Sequence, residues 1–360
     1  MKLVLAHDYL VQMGGAERVV ATMHEAYPEA PIFTSAIAPA RLWETFADAD
    51  IRTSWMQNLP GMTHHTHFKK YFPLYPFAFR SFPPVECDVA WISCSSFAKF
   101  LRFAPGGRTV CYLHNTTRFL WQTDEYLRHE VGNPVLNGVV RTILPMLREI
   151  EKRATRGFTV LLVNSKNVQQ RVKRFYGLDA DVVHPPVETS RFHLSTENEG
   201  YYLIVSRLLG YKNIELPVRL FSRTGRPLVV VGEGPDLARL KSLAGPNVRF
   251  IGRSADDALR LLYGRCRALI LPGEEDFGIT PVEAMACGKP VVAFGRGGAL
   301  ESVQDGITGV FFSEDSENGL EEAIARSESV RWEPEAIRRH ALGFSREVFL
   351  EKTRGYLGVQ

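Results

Sequence analysis

Residues 267–294 have the sequence RALILPGEEDFGITPVEAMACGKPVVAF, in which two short apolar runs flank a glycine-containing loop and a helical segment. Because the apolar runs are unbroken, they are typical of strands buried on both faces of a parallel sheet. The loop ends where Pro281 is predicted to open a helix, since a first-turn residue needs no backbone donor. Gly288 and Pro290 are predicted to stop that helix before the next strand. The stretch therefore predicts a strand, loop, helix and strand of an α/β fold.

The same alternation of short apolar runs and longer amphipathic stretches recurs along the chain. We predict strands at residues 3–6, 89–93, 109–113, 159–163, 203–206, 228–231, 267–271 and 291–294. Such strands, separated by helix-length segments, indicate two doubly wound α/β domains. A Pro-Pro turn at 185–186 is the best hinge, which predicts domains at residues 1–185 and 186–342. A last amphipathic helix within residues 343–360 is expected to pack back on the first domain.

Length, composition and charge are those of a folded globular protein. The 360 residues suffice for two domains with a core each, and 45% are hydrophobic and 23% charged. The five cysteines lack C-x-x-C or zinc-like spacing, which predicts no disulfide and no structural metal. The first apolar run is too short for a signal peptide, and no 18-residue apolar stretch occurs, so we expect a cytoplasmic protein.

Charge is divided unevenly between the two halves of the chain. Residues 1–185 carry 21 Lys and Arg against 16 Asp and Glu, whereas residues 186–360 carry 22 against 24. Only the first half therefore favours an anionic surface. We expect no nucleic-acid partner.

Two carboxylates, Glu275 and Glu283, frame the loop and helix of the opening stretch. Ligands of open α/β sheets bind at the carboxyl ends of strands, and carboxylates accept strong hydrogen bonds from sugar and ribose hydroxyls. Thr280 and Glu283 also match a capping box, in which Glu283 would satisfy only the helix start. Both interpretations of Glu283 stay open, whereas Glu275 lies in a loop with little packing reason to hold a charge.

Two cations follow the predicted strand at 203–206. Arg207 and Lys212 would suit a diphosphate, with the guanidinium as a flat fork and the ammonium as a point charge. The alternative is a pair of solvated surface cations. The nearby Gly232-Glu-Gly sequence looks like half of a dinucleotide fingerprint, but Pro235 follows and the third glycine is missing.

Two further candidates lie in the first half. Gly14 and Gly15 join the first strand to the first helix, where they would let backbone N–H groups approach an anion, or would simply form a tight turn. His114 ends the predicted strand at 109–113. A single histidine at a strand end is more often structural than catalytic, so the residues alone leave its role open.

Taken together, these motifs resemble those of the family 4 retaining glycosyltransferases of the GT-B fold, in which two Rossmann-like domains face each other across a cleft. The chain is similar in particular to bacterial mannosyltransferases of O-antigen and exopolysaccharide synthesis, most specifically over residues 201–310. The resemblance implies transfer of a hexose from a nucleotide-diphosphate sugar, GDP-mannose first, to a glycan or polyprenyl-linked acceptor. It implies retention of configuration and no metal or cofactor, with the acceptor on the first domain and the donor on the second.

The resemblance also assigns roles to residues. It implies a catalytic set of His114, Arg207, Lys212 and Glu275, and a donor-binding and nucleotide-binding set of Gly14, Gly15, Arg207, Lys212, Gly232, Gly252, Arg253, Phe277, Gly278, Ile279 and Glu283. Arg207 and Lys212 would stabilise the leaving diphosphate, Glu275 would hold hexose hydroxyls, and Glu283 would hold the ribose. Many relatives have two prolines where this chain has Thr116 and Thr117, which bears on the shape of the acceptor pocket.

Residues 64–82 combine seven aromatic side chains with Lys69, Lys70 and Arg80 and have no acid. Their aromatics would complete the core of the first domain, or would form a peripheral patch on the anionic inner face of the cytoplasmic membrane. Three other functions stay open as rivals of glycosyl transfer. They are a nucleotide-sugar epimerase of the same fold, a nicotinamide-dependent oxidoreductase and a non-catalytic protein that binds sugar nucleotides.

Overall fold

The computed structural model describes residues 1–64, 67–121 and 134–358. The chain forms two compact units, one of Met1–Pro186 with the stretch from Phe349 onward, and one of Val187–Val348. Each unit is an α/β domain with a wholly parallel sheet, which confirms the predicted fold class. The acceptor and donor roles of the two halves stay predictions.

The first unit is built on a seven-stranded sheet in the order β3-β2-β1-β4-β5-β6-β7. Its strands are β1 Leu3–His7, β2 Ile32–Thr34, β3 Ile51–Thr53, β4 Val89–Cys94, β5 Arg108–Leu113, β6 Val160–Val163 and β7 Asp181–Val182. Its helices include α1 Gly15–Ala26, α2 Tyr75–Ser81, α3 Arg118–Trp121, α4 Pro134–Arg156 and α5 Lys166–Tyr176. Apolar clusters cover both faces of this sheet, as expected of strands with unbroken apolar runs.

The second unit has a six-stranded sheet in the order β10-β9-β8-β11-β12-β13, the strand order of a Rossmann fold. Its strands are β8 Tyr202–Val205, β9 Leu228–Val231, β10 Val248–Ile251, β11 Ala268–Leu271, β12 Val291–Phe294 and β13 Gly309–Phe312. Its helices are α6 Glu215–Thr224, α7 Leu237–Leu243, α8 Asp256–Arg265, α9 Ile279–Ala286, α10 Ala299–Ser302, α11 Glu317–Ser329 and α12 Pro334–Leu342. Here too apolar clusters cover both faces.

The helix α13, Arg346–Leu357, belongs to the first unit from Phe349 onward. The Phe349 ring stacks on Trp91 with centroids 5.9 Å apart and meets Tyr112 edge-on at 5.5 Å. All three side chains are buried. Residues near 350 thus complete a core that begins near residue 3.

One local prediction was wrong. The helix of the opening stretch begins at Ile279, two residues before Pro281, with Gly278 as its N-cap. Thr280 is therefore already helical, and its side chain does not cap the helix. The capping-box interpretation of Glu283 fails for this reason, since that motif needs Thr280 at the N-cap.

The aromatic residues of segment 64–82 lie mostly in the core of the first unit. Phe68, Tyr75 and Phe79 are fully buried, and Tyr71, Phe72 and Phe82 pack against the same core. Phe77, at 67% exposure, is the aromatic that faces solvent. Within the described residues no helix is long and apolar enough to cross a membrane, and all five cysteines are free thiols.

Candidate functional site

The predicted site residues lie on loops at the carboxyl ends of strands. In each sheet the strand order reverses at one place, between β1 and β4 in the first unit and between β8 and β11 in the second. Loops diverge there and leave a crevice in which open α/β sheets bind ligands. Arg207 and Lys212 follow β8 and Glu275 follows β11, so these residues flank the reversal point of the second sheet.

Lys212 and Glu275 form an ion pair across this reversal point. The Lys212 ammonium donates to Glu275 Oε1, and the two side chains are 12% and 19% exposed. The ammonium also lies 4.9 Å from the ring centroid of Tyr211, whose hydroxyl is 3.4 Å from Arg207 Nη2. The structure thus brings both predicted cations and the predicted sugar-binding carboxylate together. Because Arg207 is solvent exposed, it is accessible to an anion.

Two glycines hold the Glu275 loop in place. A Cβ on Gly273 would lie 2.8 Å from the backbone oxygen of Lys212, and one on Gly298 would lie 2.2 Å from the Phe277 Cα. Only glycine permits such close backbone approach. Gly298 N–H also donates to the Glu275 carbonyl at 2.8 Å. Gly298 was missed from the sequence, although a Gly-Gly pair three residues after a predicted strand was a usable signal.

Glu283 lies on α9 and is 4% exposed. Its Oε2 accepts a hydrogen bond of 2.7 Å from the hydroxyl of Tyr263, which is fully buried. A buried carboxylate is stabilised by such donors, because an isolated charge in a protein interior is costly. The neighbouring Phe277 side chain is core, with its ring centroid 5.4 Å from that of Phe344.

The glycines at 232 and 234 have a local structural explanation. A Cβ on Gly232 would lie 1.9 Å from the Ser206 oxygen, and one on Gly234 would lie 2.2 Å from the Leu208 oxygen. Both glycines therefore allow this loop to pack directly on the loop that carries Arg207. The packing accounts for the partial dinucleotide fingerprint without a dinucleotide.

The loop at 232–234 also connects to the end of β10. Gly232 N–H donates to the Gly252 oxygen at 3.2 Å, and Arg253 N–H lies 3.4 Å from Glu233 Oε1. Gly232, Gly252 and Arg253 thus form one connected edge beside the Arg207 loop.

In the first unit, Asp8 fixes the loop that follows β4. The buried carboxylate accepts backbone N–H bonds from four consecutive residues, Ser95, Ser96, Phe97 and Ala98, at 2.7, 2.9, 2.7 and 2.6 Å. Asp8 follows β1, so these bonds join the two loops at the reversal point of the first sheet. Sequence reasoning passed over Asp8, although an acid directly after a buried strand is a recognisable signal.

His114 is half-buried at the end of β5. Its Nε2 lies 2.8 Å from the Ser93 hydroxyl, which is 3.0 Å from His7 Nδ1. The His114 backbone oxygen accepts from Asn164 Nδ2 at 2.9 Å. His114 thus has a defined orientation, set by residues on neighbouring strands.

At the start of α1, Gly14 N–H donates to Glu17 Oε2 at 2.9 Å.

Thr117, one of the two threonines in place of the family's prolines, belongs to a buried polar network. Its hydroxyl donates to Glu151 Oε1, which also accepts from Lys99 Nζ at 2.7 Å and Tyr176 Oη at 3.0 Å. The Lys99 and Glu151 side chains are 0% and 1% exposed. Burial lowers the pKa of Lys99, but the charge of Glu151 opposes it and the net pKa is raised well above the ordinary value. A proline at 117 would remove one donor to this carboxylate.

Comparison with known proteins agrees with this architecture. Residues 13–191 match the model of "Glycosyltransferase Family 4", and residues 187–342 match that of "Glycosyl transferases group 1". The D-inositol 3-phosphate glycosyltransferase of Mycobacterium tuberculosis is 29% identical over 179 residues, which cover 42% of this chain and 37% of that protein. An uncharacterized glycosyltransferase of Methanocaldococcus jannaschii is 29% identical over 135 residues, 35% of this chain and 38% of that protein. The chain thus matches less than two fifths of the length of these relatives.

Solved structures share the fold over nearly the whole chain. Anabaena HepE, solved in complex with UDP-glucose, superposes with a TM-score of 0.71 at 18% identity and covers 99% of both chains. Sucrose-phosphate synthase of Thermosynechococcus elongatus gives 0.73 at 17% identity and covers 99% of this chain and 98% of that one. The two sheets and these likenesses define a GT-B fold. The chain belongs to the family 4 glycosyltransferases.

Proposed function

We propose that this protein transfers a hexose from a nucleotide-diphosphate sugar to an acceptor hydroxyl. The observation that carries the proposal is the Lys212–Glu275 ion pair beside Arg207 at the reversal point of the second sheet. A diphosphate needs cations and a hexose needs hydrogen-bond acceptors, and this group of side chains offers both within one loop pair.

The proposed reaction retains the anomeric configuration through departure of the diphosphate and attack by the acceptor on the same face of the sugar. Arg207 and Lys212 would stabilise the negative charge that develops on the leaving diphosphate, which is the kind of preorganised stabilisation with the largest effect on rate. The bound diphosphate would compete with Glu275 for the Lys212 ammonium and release the carboxylate toward the sugar hydroxyls. His114 is proposed to orient the hexose.

The identity of the sugar-nucleotide donor is the first property to determine. The resemblance to mannosyltransferases favours GDP-mannose, whereas HepE was solved with UDP and with UDP-glucose. A thermal-shift screen with UDP, GDP, UDP-glucose and GDP-mannose separates these donors, because a ligand of the native state raises the unfolding temperature. A shift of the unfolding temperature with one base only identifies the donor base, and no shift with any of the four contradicts a uridine or guanosine diphosphate donor.

An acceptor-dependent assay then separates transfer from the rival activities. A transferase releases nucleoside diphosphate faster when acceptor glycan or polyprenyl-linked saccharide is added, whereas an epimerase converts the sugar nucleotide without it. A binding protein without turnover would show a raised unfolding temperature in the thermal screen but would release no nucleoside diphosphate. Release that needs an acceptor supports the proposal, and sugar conversion without acceptor contradicts it.

A role in surface polysaccharide synthesis, with the protein on the inner face of the cytoplasmic membrane, is the proposed setting. The solvent-facing part of segment 64–82 supports it, since Phe77 and Leu74 are 67% and 37% exposed, and Lys70 and Arg80 of the same segment are exposed too. A segment that exposes apolar side chains together with cations suits an anionic lipid surface.

A further inference from the structure

Ser93 lies between two histidines inside the first unit. Its hydroxyl oxygen is 3.0 Å from His7 Nδ1 and 2.8 Å from His114 Nε2. Ser93 is fully buried and His7 is 1% exposed, whereas His114 is half-buried. The three residues come from β1, β4 and the end of β5, which are neighbouring strands. The chain of contacts therefore runs from the sheet interior to the proposed sugar-orienting histidine.

The direction of these hydrogen bonds follows from one backbone contact. His7 Nδ1 also lies 3.1 Å from the Ser93 carbonyl oxygen. A carbonyl oxygen can only accept, so Nδ1 carries a hydrogen, whether the His7 ring is neutral or doubly protonated. His7 therefore donates toward Ser93.

The Ser93 hydroxyl hydrogen must then point away from His7. Among the hydrogen bonds that the described residues make, the other neighbour of this hydroxyl is His114 Nε2. A buried hydroxyl without an acceptor is destabilising, which favours donation from Ser93 to His114. His114 Nε2 is accordingly the acceptor, and the neutral ring carries its hydrogen on Nδ1.

We propose that Ser93 and His7 are positioning residues that hold His114 in the Nδ1–H tautomer. Resting on the proposed function, this assigns His114 Nδ1–H as a hydrogen-bond donor to an oxygen of the donor hexose. The ring would recognise the sugar by donating one hydrogen bond and would not accept a proton from it.

A second contact ties the same histidine to the Gly14 loop. His7 Nε2, which makes no hydrogen bond within the described residues, lies 3.9 Å from Glu17 Oε1. The other oxygen of this buried carboxylate accepts from Gly14 N–H. His7 thus lies between Gly14, to which the resemblance gave a donor-binding role, and His114, which it placed in the catalytic set.

The tautomer can be measured without any substrate. Long-range ¹H–¹⁵N correlation of the ¹⁵N-histidine-labelled protein at about pH 8.5, two units above an ordinary histidine pKa, distinguishes Nδ1–H from Nε2–H. A His114→Gln sample assigns the signal. We expect the Nδ1–H pattern for His114 in the wild-type protein, and an Nε2–H pattern there would overturn the proposal whether or not the Ser93 and His7 variants fold.

Substitutions then test the two positioning residues. Ser93→Ala should shift His114 toward Nε2–H, whereas Ser96→Ala, three residues along the same segment, should leave the wild-type pattern. His7→Asn keeps a donor near the Nδ1 position and should preserve the pattern, whereas His7→Leu should lose it. An unchanged His114 pattern in Ser93→Ala or in His7→Leu would remove that residue from the proposal.

Kinetics connects the tautomer to turnover. Loss of one neutral hydrogen bond predicts a fall in kcat of about five- to tenfold for Ser93→Ala, with the acceptor KM unchanged. Partial recovery in His7→Asn relative to His7→Leu would separate positioning from packing. If the tautomer result holds and no glycosyl transfer is found, the proposed function fails while the hydrogen-bond assignment stands. If transfer is found with His114 as Nε2–H, the positioning proposal alone fails.

Discussion

Lys212 and Glu275 are 63 residues apart in the sequence, yet their side chains form an ion pair where the strand order of the second sheet reverses. The pair joins the residue proposed to hold the diphosphate to the one proposed to hold the hexose. Without a nucleotide, each side chain partly neutralises the other. A bound diphosphate would redistribute these contacts, so the two residues should act as one energetic unit.

The first prediction concerns the two cations. Arg207→Ala and Lys212→Ala should each lower kcat on the order of a hundredfold, about 3 kcal/mol, because each removes a preorganised donor to a developing charge. Lys241→Ala, which removes an exposed cation from α7, is the matched control and should be close to wild type. Steady-state kinetics with saturating acceptor measures the effect.

The ion pair adds a double-mutant cycle to this test. Residues in contact give non-additive effects, so Lys212→Ala combined with Glu275→Ala should cost less than the sum of the single changes. Additive losses would mean that the ion pair has no part in turnover. A near-normal kcat in both cation variants would remove Arg207 and Lys212 from the catalytic set.

The second prediction separates a ligand-binding role of Glu283 from a structural one. Glu283→Gln keeps an acceptor for the Tyr263 hydroxyl but removes the charge. Nucleoside-diphosphate affinity should therefore fall by roughly 1–3 kcal/mol while the unfolding temperature stays nearly the same. Calorimetric titration and thermal unfolding provide the two values.

Tyr263→Phe is the complementary variant, because it removes the hydroxyl and keeps the carboxylate. We expect it to lower stability by about 1 kcal/mol and to affect nucleotide affinity less than Glu283→Gln does. Unchanged affinity in Glu283→Gln would leave Glu283 as a structural partner of Tyr263.

The third prediction is that turnover does not need a divalent cation. Arg207 and Lys212 would stabilise the charge of the leaving diphosphate, as a bound metal ion does at other sites that bind a diphosphate. Activity should persist after dialysis against EDTA, with a magnesium-dependent enzyme treated in parallel to verify removal. A strict requirement for Mg²⁺ or Mn²⁺ would contradict the assignment of the two cations.

The fourth prediction concerns the buried Lys99–Glu151 pair. Lys99→Met should lower the free energy of unfolding by about 3–5 kcal/mol, since it leaves the Glu151 charge buried without its cation. Adding Glu151→Gln should recover part of the loss, because glutamine still accepts a hydrogen bond and carries no charge. Denaturation midpoints measure both variants.

An exposed ion pair gives the control for this measurement. Lys173 and Asp179 also lie 2.7 Å apart, but their side chains are 62% and 91% exposed. Lys173→Met should therefore change stability by less than about 1 kcal/mol. Equal effects of Lys99→Met and Lys173→Met would show that burial of the Glu151 charge is not what makes the first pair important.

The fifth prediction tests membrane contact through the exposed part of segment 64–82. Co-sedimentation with liposomes that contain anionic lipid should be stronger for the wild type than for Lys70→Glu combined with Phe77→Ser and Arg80→Glu. Each cation contributes about 1 kcal/mol at such a surface and the ring adds its apolar area. Arg41→Glu with Lys241→Glu makes the same charge change at other exposed positions. Equal partitioning of all three proteins would favour a soluble acceptor.

The fold was predictable from the sequence where strands are long and buried. The β1 and β4 strands at Leu3–His7 and Val89–Cys94 begin with unbroken apolar runs of four residues because both faces of the sheet are covered. The β2, β3, β7, β10 and β13 strands were missed. Four of them lie at sheet edges, and β2 at Ile32–Thr34 has only three residues. Edge strands bury less surface, so their sequence shows less apolar periodicity.

The candidate site was predictable as a set of residue types and not as a set of contacts. The motifs placed Lys212 and Glu275 at strand ends, but which strands are neighbours depends on sheet order, and that order is not local in sequence. The same limit applies to Ser93 and Asp8. Ser93 is an unremarkable strand residue until β1 and β5 are placed on either side of β4. Asp8 acts on four N–H groups almost 90 residues away.

The return of α13 to the first unit reverses the order in which the two units can finish folding. The ribosome releases residues 1–186 before residues 187–348, and domains generally fold in the order of their synthesis. Phe349, which stacks on Trp91 in the core of the first unit, emerges only after the whole second unit. During translation the amino-terminal sheet therefore has an uncovered apolar face over Trp91 and Tyr112, and the unit made first is completed last.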